Sequence, residues 1–425
     1  MTTTIQKEKL FTGYQVFMIA MLAILQFTVI LDFMVLSPLG AILLKELNMK
    51  TSQFGLVVSG YALSAGAAGI AAAGFADKYD RKKMLMLFYV GFILGTIFCA
   101  LATDFQSLLI ARIVTGLFGG VIGSIGFAII TDLFKMEVRG RVMGFVQMAF
   151  SVSQILGIPV GIYLANQFGW HAPFWMIAGF GAIIGVVLFL YMKPVTDHLK
   201  VKSERNAFQH LQKTISNKSY VKAFAATTLL ATGGFMIMPF ASAFTTNNLG
   251  ISIKSLPILY GVTGVFSMVA GPLIGKYSDK IGKYNIFFIG TILSMITMMI
   301  YCHLGVTPLW LLIVINIFMF AGITARIISS SALMTGIPSA QDRGAFMSVN
   351  SAVQQTSGGI GSAIAGLIVV QTSDGYIHNY DILGYVVLVA MIAALVMTYY
   401  VNKQVEEKNK NALKTSENQQ KIAVG

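Results

Sequence analysis

Apolar residues run along this chain in long stretches, interrupted by short charged or turn-rich breaks. A helix needs roughly 20 mostly apolar residues to cross about 30 Å of hydrocarbon. Reading for such runs predicts twelve spans, at 14–44, 53–74, 84–102, 107–131, 142–166, 172–192, 220–246, 255–275, 284–304, 307–333, 344–370 and 381–401. The first is longer than one crossing requires, so it either tilts or projects from the membrane. A closed barrel would instead read as short segments of strict alternation, and that period is absent. The expected fold class is an all-α membrane protein with twelve transmembrane helices.

Composition agrees. Of 425 residues, 56% are hydrophobic and 11% charged, with a mean hydropathy of +0.74, where soluble chains carry about 25% charged residues. That much apolar surface needs lipid as part of its solvent. The net charge of +13 would suggest nucleic acid in a soluble chain, but its distribution points elsewhere. With the N-terminus inside, inner segments hold 25 of the 30 Lys and Arg residues, and outer segments hold Lys45, Lys50 and Lys254. This is the positive-inside pattern, so the basic charge sets topology and no nucleic-acid partner is implied. Both termini are expected to be cytoplasmic, in the cell membrane. Cys99 and Cys302 both fall in apolar stretches and imply no disulfide framework. Residues 1–10 are polar and show no cleavable leader pattern, so the first apolar segment is expected to stay.

The longest inner connection divides the chain into 1–192, a linker at 193–219, and 220–401, followed by a polar tail at 402–425. Ala207–Ile215 in the linker reads either as a short interfacial helix or as a solvated stretch. The tail, with Lys and Glu mixed, is expected to be partly disordered. The halves repeat. Ala73-Gly-Phe-Ala-Asp77-Lys78-Tyr-Asp-Arg81-Lys82 returns as Gly275-Lys-Tyr-Ser-Asp279-Lys280-Ile-Gly-Lys-Tyr284, an offset of 202. Arg139-Gly-Arg141-Val-Met143 returns as Arg343-Gly-Ala-Phe-Met347, an offset of 204. Two anchors in equivalent inner loops argue for duplication of a six-helix unit.

At these residues the chain resembles the major facilitator superfamily, over all twelve predicted spans. The family's loop signature, Gly-x-Leu-x-Asp-Arg-x-Gly-Arg-Lys, keeps here its acid (Asp77), the following base (Lys78) and the basic pair (Arg81, Lys82). It departs at Ala73 and Asp80, where glycines are usual. The second copy keeps both glycines, Gly275 and Gly282. Leu108-Leu-Ile-Ala-Arg112-Ile-Val-Thr-Gly116 resembles an element of the drug–proton antiporter branch, with Thr115 in place of Gln. Gly157-Ile-Pro159-Val-Gly161 resembles that branch's Gly-Pro-x-x-Gly-Gly element, with one extra residue before the proline. Gly169-Trp-His-Ala-Pro-Phe174 is similar to its turn before the sixth helix. The resemblance implies two pseudo-symmetric six-helix bundles rocking about a central cavity, acting on a small-molecule substrate, as a monomer.

Charge at membrane depth costs about 2.5 to 3.5 kcal/mol per residue on insertion scales, so each instance needs a reason. Away from their ends, the predicted spans hold one acid, Asp32, and two bases, Arg112 and Arg326; Asp132 reads as a loop-side or cap residue. Asp32 is either a proton-exchanging or substrate-contacting carboxylate, or a member of a permanent ion pair, or a helix-bending polar residue. The resemblance associates Arg112 with proton transfer; snorkelling to the outer interface is the alternative. Arg326 stands opposite Ile122 at the offset of 204, so the repeat supplies no counterpart. It is expected to line the cavity from the inner side, with snorkelling as the alternative, and lies roughly 10 Å too far from Asp32 along the helix axes for a direct pair. Gln26, Gln147, Gln154, Asn316, Gln354 and Gln355 can serve interhelical hydrogen bonds or a cavity wall. Phe235 and Met236, in the Gly233–Phe240 stretch, suit an adaptable apolar wall at a bend. The substrate-cavity candidates are therefore Gln26, Phe235, Met236, Asn316, Arg326 and Gln354.

The loop acids and bases suggest a latch between helices, formed by Asp77, Lys78, Arg81, Arg139, Arg141, Asp279, Lys280 and Arg343, that breaks as the halves rock. Metal-ligand spacings, nucleotide loops and nucleophile elbows are missing from the sequence, so no enzyme, metal or cofactor is expected. A proton gradient is the natural driver. The expected function is a proton-coupled antiporter that exports small amphipathic or drug-like molecules. One acid against two arginines leaves open an anionic or zwitterionic metabolite or lysolipid; sugar efflux is a third option.

Overall fold

The protein is described by a computed structural model over residues 11–73, 79–196, 199, 207–338 and 343–424. Helix α1 (Gly13–Val35) starts on a capping box: Thr12 Oγ1 accepts from Gln15 N at 3.3 Å, and Thr12 N donates to Gln15 Oε1 at 3.0 Å. It does not run to the end of the first apolar stretch. Pro38 has no N–H to continue the ladder, and the chain turns before α2 (Gly40–Glu46). The excess length of the first span is thus a break, where the sequence suggested a tilt or projection. The second half repeats it. Helix α10 (Lys218–Ile237) ends at a 3₁₀ turn, Met238–Phe240, before α11 (Ala241–Asn247), with Pro239 at the break.

Between them lie α3 (Thr51–Ala73), α4 (Arg81–Leu101), α5 (Phe105–Leu133), α6 (Met136–Val152), α7 (Ile158–Phe168) and α8 (Ala172–Tyr191). A π turn, Ser153–Gly157, joins α6 to α7. The linker helix α9 is Ala207–Ser216, and it touches α3, α10 and α15. The second half continues with α12 (Leu256–Ile281), α13 (Lys283–Cys302), α14 (Leu309–Gly336), α15 (Arg343–Ile368) and α16 (Tyr380–Val424). A two-residue hairpin, β1 (Val370–Gln371) against β2 (Ile377–His378), closes the turn before α16.

Among the described residues, ten helices are long and apolar enough to cross a membrane. The other two predicted spans are helical as well. The stretch at 142–166 is divided by the π turn, and α15 carries Ser, Asn, Gln and Gly, which lower its hydropathy. Helix α16 corrects the expectation of a disordered tail, because it runs unbroken to Val424. From Tyr385 to Val424 the sequence has no Gly or Pro to stop it. Lys408 then reaches across to the end of α14, its Nζ donating to the carbonyls of Gly336, Ile337 and Pro338 at 2.8–3.1 Å. This satisfies carbonyls that a helix C-terminus leaves orphaned.

The first-copy loop shows how the family's missing glycine is replaced. Asp80 N-caps α4, accepting from Lys82 N at 2.9 Å and from Val195 N at 3.0 Å. In the second copy, one residue both ends α12 and starts α13: Gly282, at φ +105°. A side chain there would be strained.

The halves meet along α3 and α15, along α7 and α12, and where α2 faces α11. Gly55 and Gly366 bring α3 and α15 so close that a Cβ on Gly55 would lie 2.9 Å from the Ser362 carbonyl. The buried apolar side chains form three clusters. One spans both halves at the end away from the basic loops, joining Leu36, Leu43 and Phe54 to Phe240, Phe244 and Val369. The two others lie toward the basic loops, one per half: Leu85, Ile129 and Val195 in the first, Tyr220, Phe346 and Val401 in the second. The two halves are sealed together at one end and have separate cores at the other.

Candidate functional site

Helices α1, α4 and α5 bring three side chains together that lie far apart in the sequence. Arg112 Nη1 donates to Asp32 Oδ2 at 2.6 Å, and it lies 3.3 Å from the Asp32 carbonyl oxygen. Both side chains are fully buried. Thr96 Oγ1 lies 3.1 Å from Asp32 Oδ1 and 3.0 Å from the Phe92 carbonyl. The Arg112 guanidinium sits 4.4 Å from the Tyr61 ring centroid. Its Nε and Nη2 have no hydrogen-bond partner. Snorkelling is therefore corrected for Arg112: the head turns inward onto Asp32. A short, charge-assisted bond offsets the desolvation of both ions. Two donors remain on the arginine for water or another ligand.

Next to this pair, Phe33 packs on Tyr61 (5.3 Å between centroids) and across the halves on Phe235 (5.5 Å). Above them, the two helix breaks meet. Ser242 of α11 donates to the Ser37 carbonyl at 3.1 Å and accepts from Ala41 N at 3.2 Å. Thr51 donates to the Val369 carbonyl at 2.5 Å. Within the second half, the carbonyls around Pro239 are held as well: Ser362 donates to Phe235 O, Tyr380 to Ile237 O and Tyr301 to Ala241 O, at 3.1–3.3 Å. The break is a finished piece of structure.

The remaining candidates scatter. Gln26 lines a small cavity in the first half with Leu22, Leu25, Leu85, Ile122, Gly123, Gly126, Phe127 and Val146. Phe235 is half-buried, as a wall residue would be. Met236 is corrected: it is buried in the sealed core shared by the halves. Asn316 is buried and donates to its own helix at Leu312 O, 2.9 Å away. Gln354 is exposed. Arg326 does not snorkel: it is only 3% exposed, and its guanidinium lies 6.0 Å from the Phe287 ring of α13.

Of the latch residues, Asp77 and Lys78 lie outside the described residues, as do the side chains of Arg139, Arg141 and Arg343. The side chains of Gln147 and Gln154 are likewise outside them. Arg81 is buried and pairs with Asp132 at 3.1 Å, so Asp132 is an ion-pair partner where the sequence suggested a loop or cap residue. Asp279 and Lys280 are exposed and enter no ion pair among the described residues. No cluster of metal-ligating side chains occurs among the described residues.

Comparison with known proteins decides the family. The family model described as the Major Facilitator Superfamily matches residues 22–325 and 223–423. The chain belongs to the major facilitator superfamily. It is a transporter and not an enzyme. Among its relatives, the uncharacterized MFS-type transporter YceJ of Bacillus subtilis (strain 168) is 26% identical over 377 residues, covering 87% of this chain and 92% of YceJ. Multidrug resistance protein 3 of the same organism is 32% identical over 126 residues, 30% of this chain and 25% of that protein. A bacterial homolog of the human lysosomal transporter Spinster, solved inward-facing and unoccupied, matches with a TM-score of 0.65 at 16% identity, covering 95% of this chain and 98% of that one. The nucleoside transporter NupG matches with a TM-score of 0.68 at 14% identity, over 90% of this chain and 99% of NupG. These structures establish the shared fold.

Proposed function

We propose that this transporter is a proton-coupled antiporter of the cell membrane that exports small amphipathic molecules by alternating access, as a monomer with both termini cytoplasmic. The observation that carries the reading is the fully buried Asp32–Arg112 pair at 2.6 Å. A carboxylate that can take up a proton, held by a guanidinium that cannot lose one, is a two-state switch. Protonation removes the charge that binds Arg112 and frees its remaining donors; deprotonation restores the pair. Phe33, adjacent to Asp32 and packed on Phe235 of the other half, ties that switch to the seal between the halves.

The basic loops mark the cytoplasmic side by the positive-inside rule. On that reading the described state is sealed on the outside, with a separate core in each half on the inside, and this is the side from which an exporter loads. The exposure of Asp279 and Lys280 fits a latch released in this state. The partial likeness to a multidrug resistance protein supports drug-like substrates.

The test uses protein reconstituted in liposomes with an imposed pH gradient. Asp32→Asn keeps the size of the side chain and removes its titration. It is expected to abolish uphill transport while leaving downhill exchange. Full gradient-driven transport by the variant would reject the coupling role.

A further inference from the structure

Asp32 and Arg112 neutralise each other, and among the described span residues that leaves Arg326 without an acid. Its side chain is buried at 3% exposure, and its Nε and Nη2 have no hydrogen-bond partner. These two atoms form one edge of the planar guanidinium, the edge that takes a carboxylate or phosphate bidentately. The contact with the Phe287 ring, at 6.0 Å, places an aromatic face beside the cation but occupies neither donor.

The internal repeat shows what kind of place this is. Helices α4 and α13 begin at 81 and 283, and α5 and α14 at 105 and 309, giving offsets of 202 and 204. Phe287 therefore corresponds to Leu85 and Arg326 to Ile122. In the first half, Leu85 and Ile122 both line the small cavity that Gln26 shares. The corresponding place in the second half has changed chemistry. Arg326 stands in place of the isoleucine, one turn from the buried Ser329 and Ser330, and Ser329 Oγ lies 3.5 Å from Ser278 Oγ. At the same offset of 204, Asn350 of α15 replaces Val146, another lining residue, and accepts from Thr227 Oγ1 at 2.6 Å. One copy of the repeat has a largely apolar cavity that Gln26 shares; the other has Arg326 buried and Asn350 half-buried at the matching positions.

We infer that Arg326 is the centre of an anion-binding subsite in the C-terminal half, and that the transported solute carries a phosphate or carboxylate on an apolar body. The inference rests on the transporter reading above and names its substrate class. A cationic drug would meet an unneutralised arginine at this site, because Asp32, the acid deep within the described spans, already has a partner. An anionic head supplies the two missing acceptors and the missing charge together.

Purified protein in lipid nanodiscs is melted with octyl phosphate, octanoate, octanol, octyltrimethylammonium or inorganic phosphate. Octyl phosphate is expected to raise the melting temperature of the wild type. Its apparent affinity should fall by about tenfold or more in Arg326→Gln, and Arg326→Lys should lie between wild type and Arg326→Gln, because it keeps the charge and loses the two-pronged donor edge. Octyltrimethylammonium stabilising the wild type as well as octyl phosphate would overturn the assignment, and that comparison needs no variant. Equal octyl phosphate binding by wild type and Arg326→Gln would overturn it too. Inorganic phosphate acting as strongly as octyl phosphate would reject the apolar-bodied solute. Asp32→Asn should keep its octyl phosphate binding, so a failure of proton coupling is distinguishable from a failure of this subsite.

Discussion

Removing either partner of the Asp32–Arg112 pair should not cost the same. In Asp32→Leu the guanidinium stays charged and fully buried, since arginine does not lose its proton in proteins. Nη1 keeps only the Asp32 carbonyl, at 3.3 Å, while Nε and Nη2 have no partner to begin with. Stranding a buried charge in this way costs about 3–5 kcal/mol. In Arg112→Met the stranded group is a carboxylate, which can take up a proton and keep its hydrogen bond to Thr96, 3.1 Å away. The loss then approaches that of an ordinary buried hydrogen-bonding partner, about 1–3 kcal/mol. The double variant Asp32→Leu/Arg112→Met replaces the pair by apolar side chains of similar size, which is often neutral or stabilising by about 1–4 kcal/mol. The double variant is therefore expected to be more stable than either single one. Equilibrium unfolding in mixed micelles of rising denaturing-detergent content, run on all four proteins, measures the cycle. Equal losses for the two single variants, or a double variant showing their sum, would refute this reasoning.

Gly40→Val should prevent the sealed end from closing, because a Cβ there would lie 2.8 Å from the Pro239 carbonyl and 3.1 Å from the Phe54 ring. Spin labels at positions 50 and 372 should report a longer distance in the variant than in the wild type, and an unchanged distance would count against the seal. Asp104, in the loop before α5, accepts from Ser107 N at 2.9 Å, and this bond holds its carboxyl below the usual carboxylate range. Its folded-state pKa is depressed, so its contribution is complete above the ordinary aspartate value and is lost as pH falls through the lowered one. Hydrogen exchange in the first turn of α5 should accelerate over that acid window in the wild type. Asp104→Asn should lack the pH dependence, and an identical profile in the variant would exclude Asp104 as its source.

The twelve helices were legible because apolar runs of span length have few other uses. The interruptions were less so. Pro38 lies in an otherwise apolar stretch, and only its pairing with Pro239 across the repeat marks it as a designed break. Asp32 and Arg112 stood out as charges at depth, yet their meeting depends on how α1 and α5 are rotated. Hydropathy does not fix rotation when every face of a helix is apolar. The same ambiguity hid the turn of Arg326 toward Phe287 and let Met236 pass for a wall residue. Thr96 carried no signal, since a threonine in a membrane helix commonly bonds its own backbone, as Thr96 also does with Phe92. The tail misled through composition: mixed Lys, Glu and Asn read as disorder, while the missing Gly and Pro permitted a helix that Lys408 anchors to α14.

The central claim is that Asp32 changes protonation while buried between α1, α4 and α5, and infrared difference spectroscopy across a pH titration tests it most directly. The wild type, reconstituted in lipid with isotopically labelled aspartate, is predicted to show a protonated-carboxyl band that grows as pH falls through the range where transport is active. That band should be absent in Asp32→Asn. A spectrum with no such band, or one that persists unchanged in Asp32→Asn, would contradict the account.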